Sequence, residues 1–284
     1  MPGLDERLGG GLLPGTLTVV VGATGIGKTQ LGLQFAHAGG KQEGVNGVLF
    51  DLSARGDPQS HAEYARRMFD WRLSPVPADR RADLENFFLE GDRPGDYLHV
   101  FDQSGRRVTR RDLDFDAWQN WQAQLNERLE ATIAFLYGNF IRGVRRVVID
   151  GVEPVDRPGE SIQFEMFEYI YHQILRKDPE WVARDLFRQL YRHNAAAVAQ
   201  HVYDPAGIVC LLLVTAQESL LDDLLNRHLD EGDMLANANT LIYLGKVRQA
   251  AGFGRALYIA KHRGSVCSEE IIPYRIDELG LHVG

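Results

Sequence analysis

The sequence predicts an α/β fold, a largely parallel sheet flanked by helices, from three observations. Apolar, β-branched runs recur along the chain without clean alternation, the pattern of strands covered on both faces. The first run passes directly through a glycine-rich loop into a helix-forming stretch. Stretches with hydrophobic residues three and four apart separate later runs, as helices packed on a sheet require.

Composition agrees with that class. The chain has 284 residues, 44% hydrophobic and 25% charged, which excludes a disordered, collagen-like or low-complexity protein. The expectation is one domain over 1–284 with an insertion at about 55–143. Against 39 Asp and Glu stand 31 Lys and Arg, a net charge of −8. Such a chain is a poor default binder of phosphate backbones, although a local basic patch is compatible with it. Two cysteines cannot build a disulfide framework or a cysteine-rich zinc site. Cys210, inside the apolar run 208–214, reads as a small core residue. No apolar stretch approaches the ~20 residues that span a bilayer. The opening MPGLDERLGG also lacks a signal-peptide pattern, so a cytoplasmic protein with no membrane partner is expected.

The first strand is expected at 16–21 (TLTVVV), bounded by glycines. After the loop, Leu31, Leu33, Phe35 and Ala36 mark a helix, with Gly39-Gly40 as its stop. A second strand falls at 47–52. In the segment 55–143, residues 72–83 (RLSPVPADRRAD) read as an exposed connection. Trp118, Trp121, Leu125, Leu129, Ile133, Leu136 and Phe140 line one helix face over 115–140, with Asp114 or Asp116 as cap. Core packing is the preferred role of these tryptophans over ligand stacking. A third strand at 144–149 ends at Asp150. Residues 161–200 are helical, with Pro179 breaking or starting a helix. Further strands are expected at 208–215, 240–244 and 255–261, and no internal repeat is visible.

The loop carries the chemistry. Gly22, Ala23, Thr24, Gly25, Ile26, Gly27, Lys28 and Thr29 match G-x-x-x-x-G-K-T in full, between a strand and a helix as the motif requires. The glycines let successive backbone N–H groups point inward, and the helix N-terminus adds its dipole, making an anion cradle. Lys28 supplies a point charge for the β- and γ-phosphates, and the Thr29 hydroxyl is a ligand for Mg²⁺. A plain glycine turn would need neither. Gln30, next on the helix, joins the nucleotide-contacting set. The run Arg145–Asp150 (RRVVID) is an apolar strand ending in a carboxylate, the second half of a Mg²⁺ site.

Residues 4–36, LDERLGGGLLPGTLTVVVGATGIGKTQLGLQFA, resemble the opening of RecA-superfamily P-loop ATPases, above all the KaiC-like and RadA/RadB-type proteins. The tail RALYIAKHRGS (255–265) resembles the KaiC-like strand carrying Lys-x-Arg-Gly. The resemblance is specific over roughly 1–52, 144–155 and 207–273. It implies a RecA-like P-loop NTPase core with helical insertions, ATP and Mg²⁺ as cofactors, and a homo-oligomer. That oligomer would be a ring, often hexameric, or a filament, with nucleotide between subunits. Lys261 and Arg263 match the residues that reach the neighbour's γ-phosphate, and two-residue spacing puts them on one strand face. Their plainer reading is a solvated cationic edge. Thr215 and Gln217 fall where the superfamily keeps a γ-phosphate sensor.

One part of the pattern fails. The family's catalytic Glu follows the second core strand, and those positions here are Ser53 and Ala54. Neither takes a proton from water as a carboxylate does. Asp51, two residues earlier, and Glu153, just past Asp150, are the candidate substitutes. The expectation is ATP·Mg²⁺ binding with slow hydrolysis in a nucleotide-controlled assembly or signalling module with a protein client. The alternatives are a RecA/RadB-type recombination protein and a catalytically inert ATP-binding scaffold. DNA is disfavoured by Glu218, Asp222, Asp223, Asp230, Glu231 and Asp233 in the segment 217–239, although Arg80-Arg81, Arg106-Arg107 and Arg110-Arg111 are basic pairs. His37, His61 and His99 have no ligand partners at helix spacing, so no metal constellation is read from them.

Overall fold

The computed structural model describes residues 3–53, 58–79, 81–89, 94–101, 114–153, 161–226, 235 and 238–284. In chain order the first half holds α1 (Leu4–Arg7), β1 (Leu17–Gly22), α2 (Lys28–Gln42), β2 (Val48–Asp51), α3 (Pro58–Phe69), β3 (Pro75–Val76), β4 (Tyr97–His99) and α4 (Phe115–Phe140). The second half holds β5 (Arg146–Val152), α5 (Ile162–Ile170), α6 (Pro179–Phe187), α7 (Tyr191–Gln200), β6 (Val209–Thr215), α8 (Leu221–Leu225), β7 (Thr240–Gln249), β8 (Gly252–His262), β9 (Ile272–Asp277) and β10 (Gly280–Val283).

The strands form one sheet in the order β10-β9-β8-β7-β1-β6-β5-β2-β4-β3. From β7 to β3 all neighbours run parallel, while the β7–β8, β8–β9 and β9–β10 pairs are antiparallel. This is the expected α/β class. Because side chains alternate along a strand, β1 feeds two cores. Leu17, Val19 and Val21 pack with Ile133, Leu136, Phe140, Phe167 and Leu186 on one face. Val20 packs with Leu31, Leu33, Phe35, Ala65 and Trp71 on the other, so α2 and α3 cover the second face. Burial on both sides explains why these strands read as unbroken apolar runs.

The expected strands are all present, within a few residues at most ends. Ile133, Leu136 and Phe140 are buried on α4 and Leu129 packs against the same core, as expected. The side chains of Trp118, Trp121 and Leu125 lie outside the described residues. Pro179 starts α6, where Asp178 caps the helix by accepting from Glu180 N at 2.9 Å.

Two expectations are corrected, and one hairpin lies outside them. The helix does not stop at Gly39-Gly40 but runs to Gln42. The glycines serve close approach instead: a Cβ on Gly39 would lie 2.7 Å from Val45 O, where the chain folds back and Gly47 N donates to Ala36 O. The segment 72–83 is mostly exposed but contains β3, and β4 further on is fully buried. Strands of two and three residues are too short to show a period. The hairpin β9–β10 was not anticipated either. Pro273 argues against a strand, and it is tolerated here near the sheet's end. Among the described residues, no helix is long and apolar enough to cross a membrane.

Candidate nucleotide site

The site grows from the C-terminal ends of parallel strands, where α/β sheets place their ligand clefts. Gly22 ends β1, Ala23 to Gly27 form the loop, and Lys28, Thr29 and Gln30 make the first turn of α2. Gly25 at φ +77° and Gly27 at φ +111° hold left-handed backbone, which only glycine adopts at little cost. Lys28 is buried, and its ammonium donates to Gly22 O at 2.8 Å and Ala23 O at 2.9 Å. Burial pushes its pKa down to about 8, against the pull of Asp150.

Thr29 donates its hydroxyl to Asp150 Oδ2 at 2.8 Å, joining α2 to the end of β5 across 121 residues of sequence. Asp150 Oδ1 accepts from Gly151 N at 2.7 Å. His61, on α3, places Nε2 3.1 Å from Asp150 Oδ2. Burial pushes the Asp150 carboxyl up, but His61, Thr29 and Lys28 together hold it below the usual carboxylate range. A hydroxyl and a carboxylate side by side are the oxygen donors that a hard cation such as Mg²⁺ takes. Among the described residues, no group of three or more His, Cys, Asp and Glu side chains is arranged to cage a metal.

Beside this pair stands a second polar cluster. Register puts Asp51 of β2 between Asp150 of β5 and His99 of β4. Asp51 is 1% exposed and accepts from Tyr97 Oη at 2.7 Å and Ser53 N at 2.8 Å. His61 Nδ1 and His99 Nε2 stand 3.8 and 3.9 Å from Asp51 Oδ2. His99 Nε2 donates to Ser53 O at 2.9 Å, so Ser53 is bound at both backbone groups. Gln163 of α5 ties the two strand exits together: its Nε2 donates to Leu52 O at 2.7 Å and its Oε1 accepts from Glu153 N at 3.1 Å. Glu153 is half-buried, in contrast to Asp51. Ala54 lies outside the described residues.

Thr215 ends β6 in register with Gly22, beside the loop, whereas Gln217 is exposed. Lys261 lies at the end of β8 and Arg263 just past it, and β7 separates β8 from β1. Burial and the neighbouring Arg263 push the Lys261 ammonium down, and the intervening His262 turns Nδ1 to the Thr240 hydroxyl at 2.8 Å. Glu218, Asp222 and Asp223 are at least partly exposed, while Asp230, Glu231, Asp233, Arg80, Arg106, Arg107, Arg110 and Arg111 lie outside the described residues.

Sequence reading missed His61, Tyr97, His99, Gln163 and Tyr274. None sits at motif spacing from the loop, and all reach the site through sheet pairing or helix packing. Tyr274 of β9 donates to Ile26 O inside the loop at 2.8 Å. The one available signal was the alternation of Ile272, Tyr274 and Ile276, which marks a strand face but not its partner.

Parts of this chain are similar to known proteins. Residues 1–91 match the family model described as the KaiC ATPase. A circadian clock protein, KaiC2 of Synechocystis sp., is 32% identical over 90 residues, 31% of this chain. The match spans 15% of that relative's length. Over the whole chain, the fold is similar to a KaiC-like protein from the hyperthermophilic archaeon Pyrococcus horikoshii. That likeness has a TM-score of 0.52 at 20% identity and covers 100% of this chain and 96% of the other. The phosphate-loop third of the chain is thus similar in sequence to KaiC ATPases, and the full length shares the fold of a KaiC-like protein.

Proposed function

We propose that this chain binds ATP with Mg²⁺ at the 22–29 loop, hydrolyses it slowly, and uses the bound nucleotide to control ring assembly. The observation that carries the reading is the Thr29–Asp150 hydrogen bond beside a buried Lys28 ammonium. Lys28 and Thr29 converge there with Asp150, 121 residues from Thr29 along the chain, and a polyphosphate with a divalent cation supplies charges that balance them. The loop amides would cradle the phosphates, with Lys28 reaching the β- and γ-phosphates. Thr29 and Asp150 would hold Mg²⁺, whose chemistry is to neutralise charge on the phosphate oxygens.

Slow hydrolysis follows from the carboxylates. Asp51 is sealed under Tyr97 and anchors the β2 exit rather than meeting water. Glu153 is the more accessible carboxylate and the better candidate base. Positioning and charge stabilisation still accelerate phosphoryl transfer without a strong base, because the transition state is loose. Thr215 and Gln217 would sense the γ-phosphate, and Lys261 and Arg263 would face a neighbouring subunit's nucleotide. The sealing of Asp51 also favours a second reading, an inert scaffold that uses ATP to hold subunits together.

Calorimetry with ATP·Mg²⁺, phosphate release, and mass in solution with and without ATP test both readings together. Binding with ATP-dependent assembly and turnover well below the ~1 s⁻¹ lower end of common enzymes supports the first. Assembly with zero turnover supports the scaffold. No heat with ATP·Mg²⁺ overturns both, and salt-sensitive single-stranded DNA binding would favour a recombination protein.

A further inference from the structure

We propose that the hairpin β9–β10 is a positioning device for the phosphate loop, in which Tyr274 sets the direction of the Gly27 amide. The inference rests on the ATP-binding reading of that loop.

The peptide bond between Ile26 and Gly27 is trans, so its C=O and N–H point to opposite sides of one plane. Tyr274 donates to the Ile26 carbonyl at 2.8 Å and so holds that oxygen on the hairpin side. The Gly27 N–H is thereby turned to the opposite side, away from the hairpin. Gly27 is the N-cap of α2, and N–H groups at that place in the chain are the donors an anion uses. Glycine at φ +111° has no Cβ to resist rotation of the adjoining peptide plane. Left untethered, the plane can turn over and present a carbonyl oxygen in place of the donor. The tether is what selects one orientation.

Two further contacts make the hairpin a rigid reference rather than a loose neighbour. Ile276 and Leu281, paired across β9 and β10, abut the Gly27 backbone: a Cβ there would lie 2.5 Å from Ile276 Cδ1 and 3.5 Å from Leu281 Cδ1. Gln34, two turns along α2, clamps the Leu281 peptide on both sides. Its Nε2 donates to Leu281 O at 3.1 Å, and Leu281 N donates to its Oε1 at 2.8 Å. The hairpin therefore holds loop and helix at the carbonyl, the glycine and the helix flank. Burial pushes the Tyr274 phenol up, so the hydroxyl keeps its proton and stays a donor.

The test is Tyr274→Phe, which keeps the ring and removes the hydroxyl. Calorimetry compares the full chain with ATP·Mg²⁺, GTP·Mg²⁺ and inorganic tripolyphosphate, beside thermal melts without ligand. Loss of one hydrogen bond to a charged group corresponds to about 10- to 100-fold in affinity. The expected result is a loss of that order, equal for ATP and tripolyphosphate, with the ATP-to-GTP ratio unchanged and the midpoint of the melt nearly unmoved. A role confined to stability would lower the melt and leave affinity alone, and that result overturns the proposal. If Tyr274→Phe does not fold, Gln34→Met decides: it frees β10 from α2, and a matched loss for both phosphate ligands supports the device while unchanged affinity overturns it. A wild-type chain that binds none of the three ligands sinks the nucleotide reading itself. Wild-type binding with an equally tight Tyr274→Phe sinks only this inference.

Discussion

The two flanks of Asp150 are built in different ways. On one side stands the phosphate loop, a strand, a turn and a helix contiguous over 17–42. On the other stands the cluster of Asp51, His61, Tyr97 and His99, drawn from β2, α3 and β4. The first is a local structure whose chemistry is written in eight consecutive residues. The second is an assembly of side chains that meet only because the sheet brings their strands into register. Local sites keep their meaning when the rest of the chain drifts; assembled ones depend on every element that delivers a residue. The comparison predicts that substitutions on the loop side act on ligand binding, and those on the cluster side act first on stability.

The sharpest break between the flanks is Lys28→Met. Loss of the ammonium should weaken ATP·Mg²⁺ binding at least about 100-fold, near 2.7 kcal/mol, by calorimetry. The same change should leave the ligand-free protein as stable or more so, because the charge is buried in the folded state. The sign can be checked against pH. The folded pKa of about 8 lies below the ordinary lysine value of 10.5. Between those values the unfolded chain binds more protons, so wild-type stability rises with pH and the variant's advantage shrinks. A loss of affinity under tenfold would remove Lys28 from the site.

Asp150→Asn cuts the link between the flanks. The amide keeps the shape of the carboxylate but turns a donor toward Thr29 and His61, which already donate to it. Affinity measured with Mg²⁺ should fall about 10- to 100-fold, in line with a lost charge-assisted bond of ~1.5–3 kcal/mol. Affinity measured with EDTA should change far less. Equal losses with and without Mg²⁺ would assign Asp150 to structure alone.

These contrasts also explain what sequence could show. The strand runs, the loop and the carboxylate ending β5 were legible because each depends on neighbours in the chain: apolar runs for burial, glycines for φ, an Asp at a strand end. The Gly39-Gly40 pair misled because glycine marks both helix ends and close contacts, and the contact partner, Val45 O, shows only in three dimensions. His61 and His99 have no partners at helix spacing, so spacing alone does not single them out. Their relation to Asp51 and Asp150 runs through sheet register and the packing of α3 on α2, which leave no short-range pattern. Tyr274 is the extreme case, 248 residues from the carbonyl it holds.

A smaller effect separates the two carboxylates. Glu153→Gln should leave ATP affinity unchanged and lower any residual phosphate release by up to about tenfold. A good general base contributes ~10²–10⁴-fold, and this site is not expected to realise that. Unchanged turnover would remove Glu153 as the base.

Tyr97→Phe tests the cluster side directly. Its hydroxyl donates to Asp51, a carboxylate almost wholly removed from water, so deleting it leaves a buried charge one donor short. Leaving such a group unsatisfied costs about 1–3 kcal/mol, more than the bond itself contributes. The phenyl ring still fills the space, so no cavity term adds to the loss. Chemical denaturation should therefore show a lower midpoint with an unchanged slope, and ATP·Mg²⁺ affinity within about threefold of wild type, since no ligand-facing group has moved. If affinity instead falls as far as in Lys28→Met, the two flanks are one cooperative unit through His61. The division between a local ligand site and a structural cluster would then be wrong.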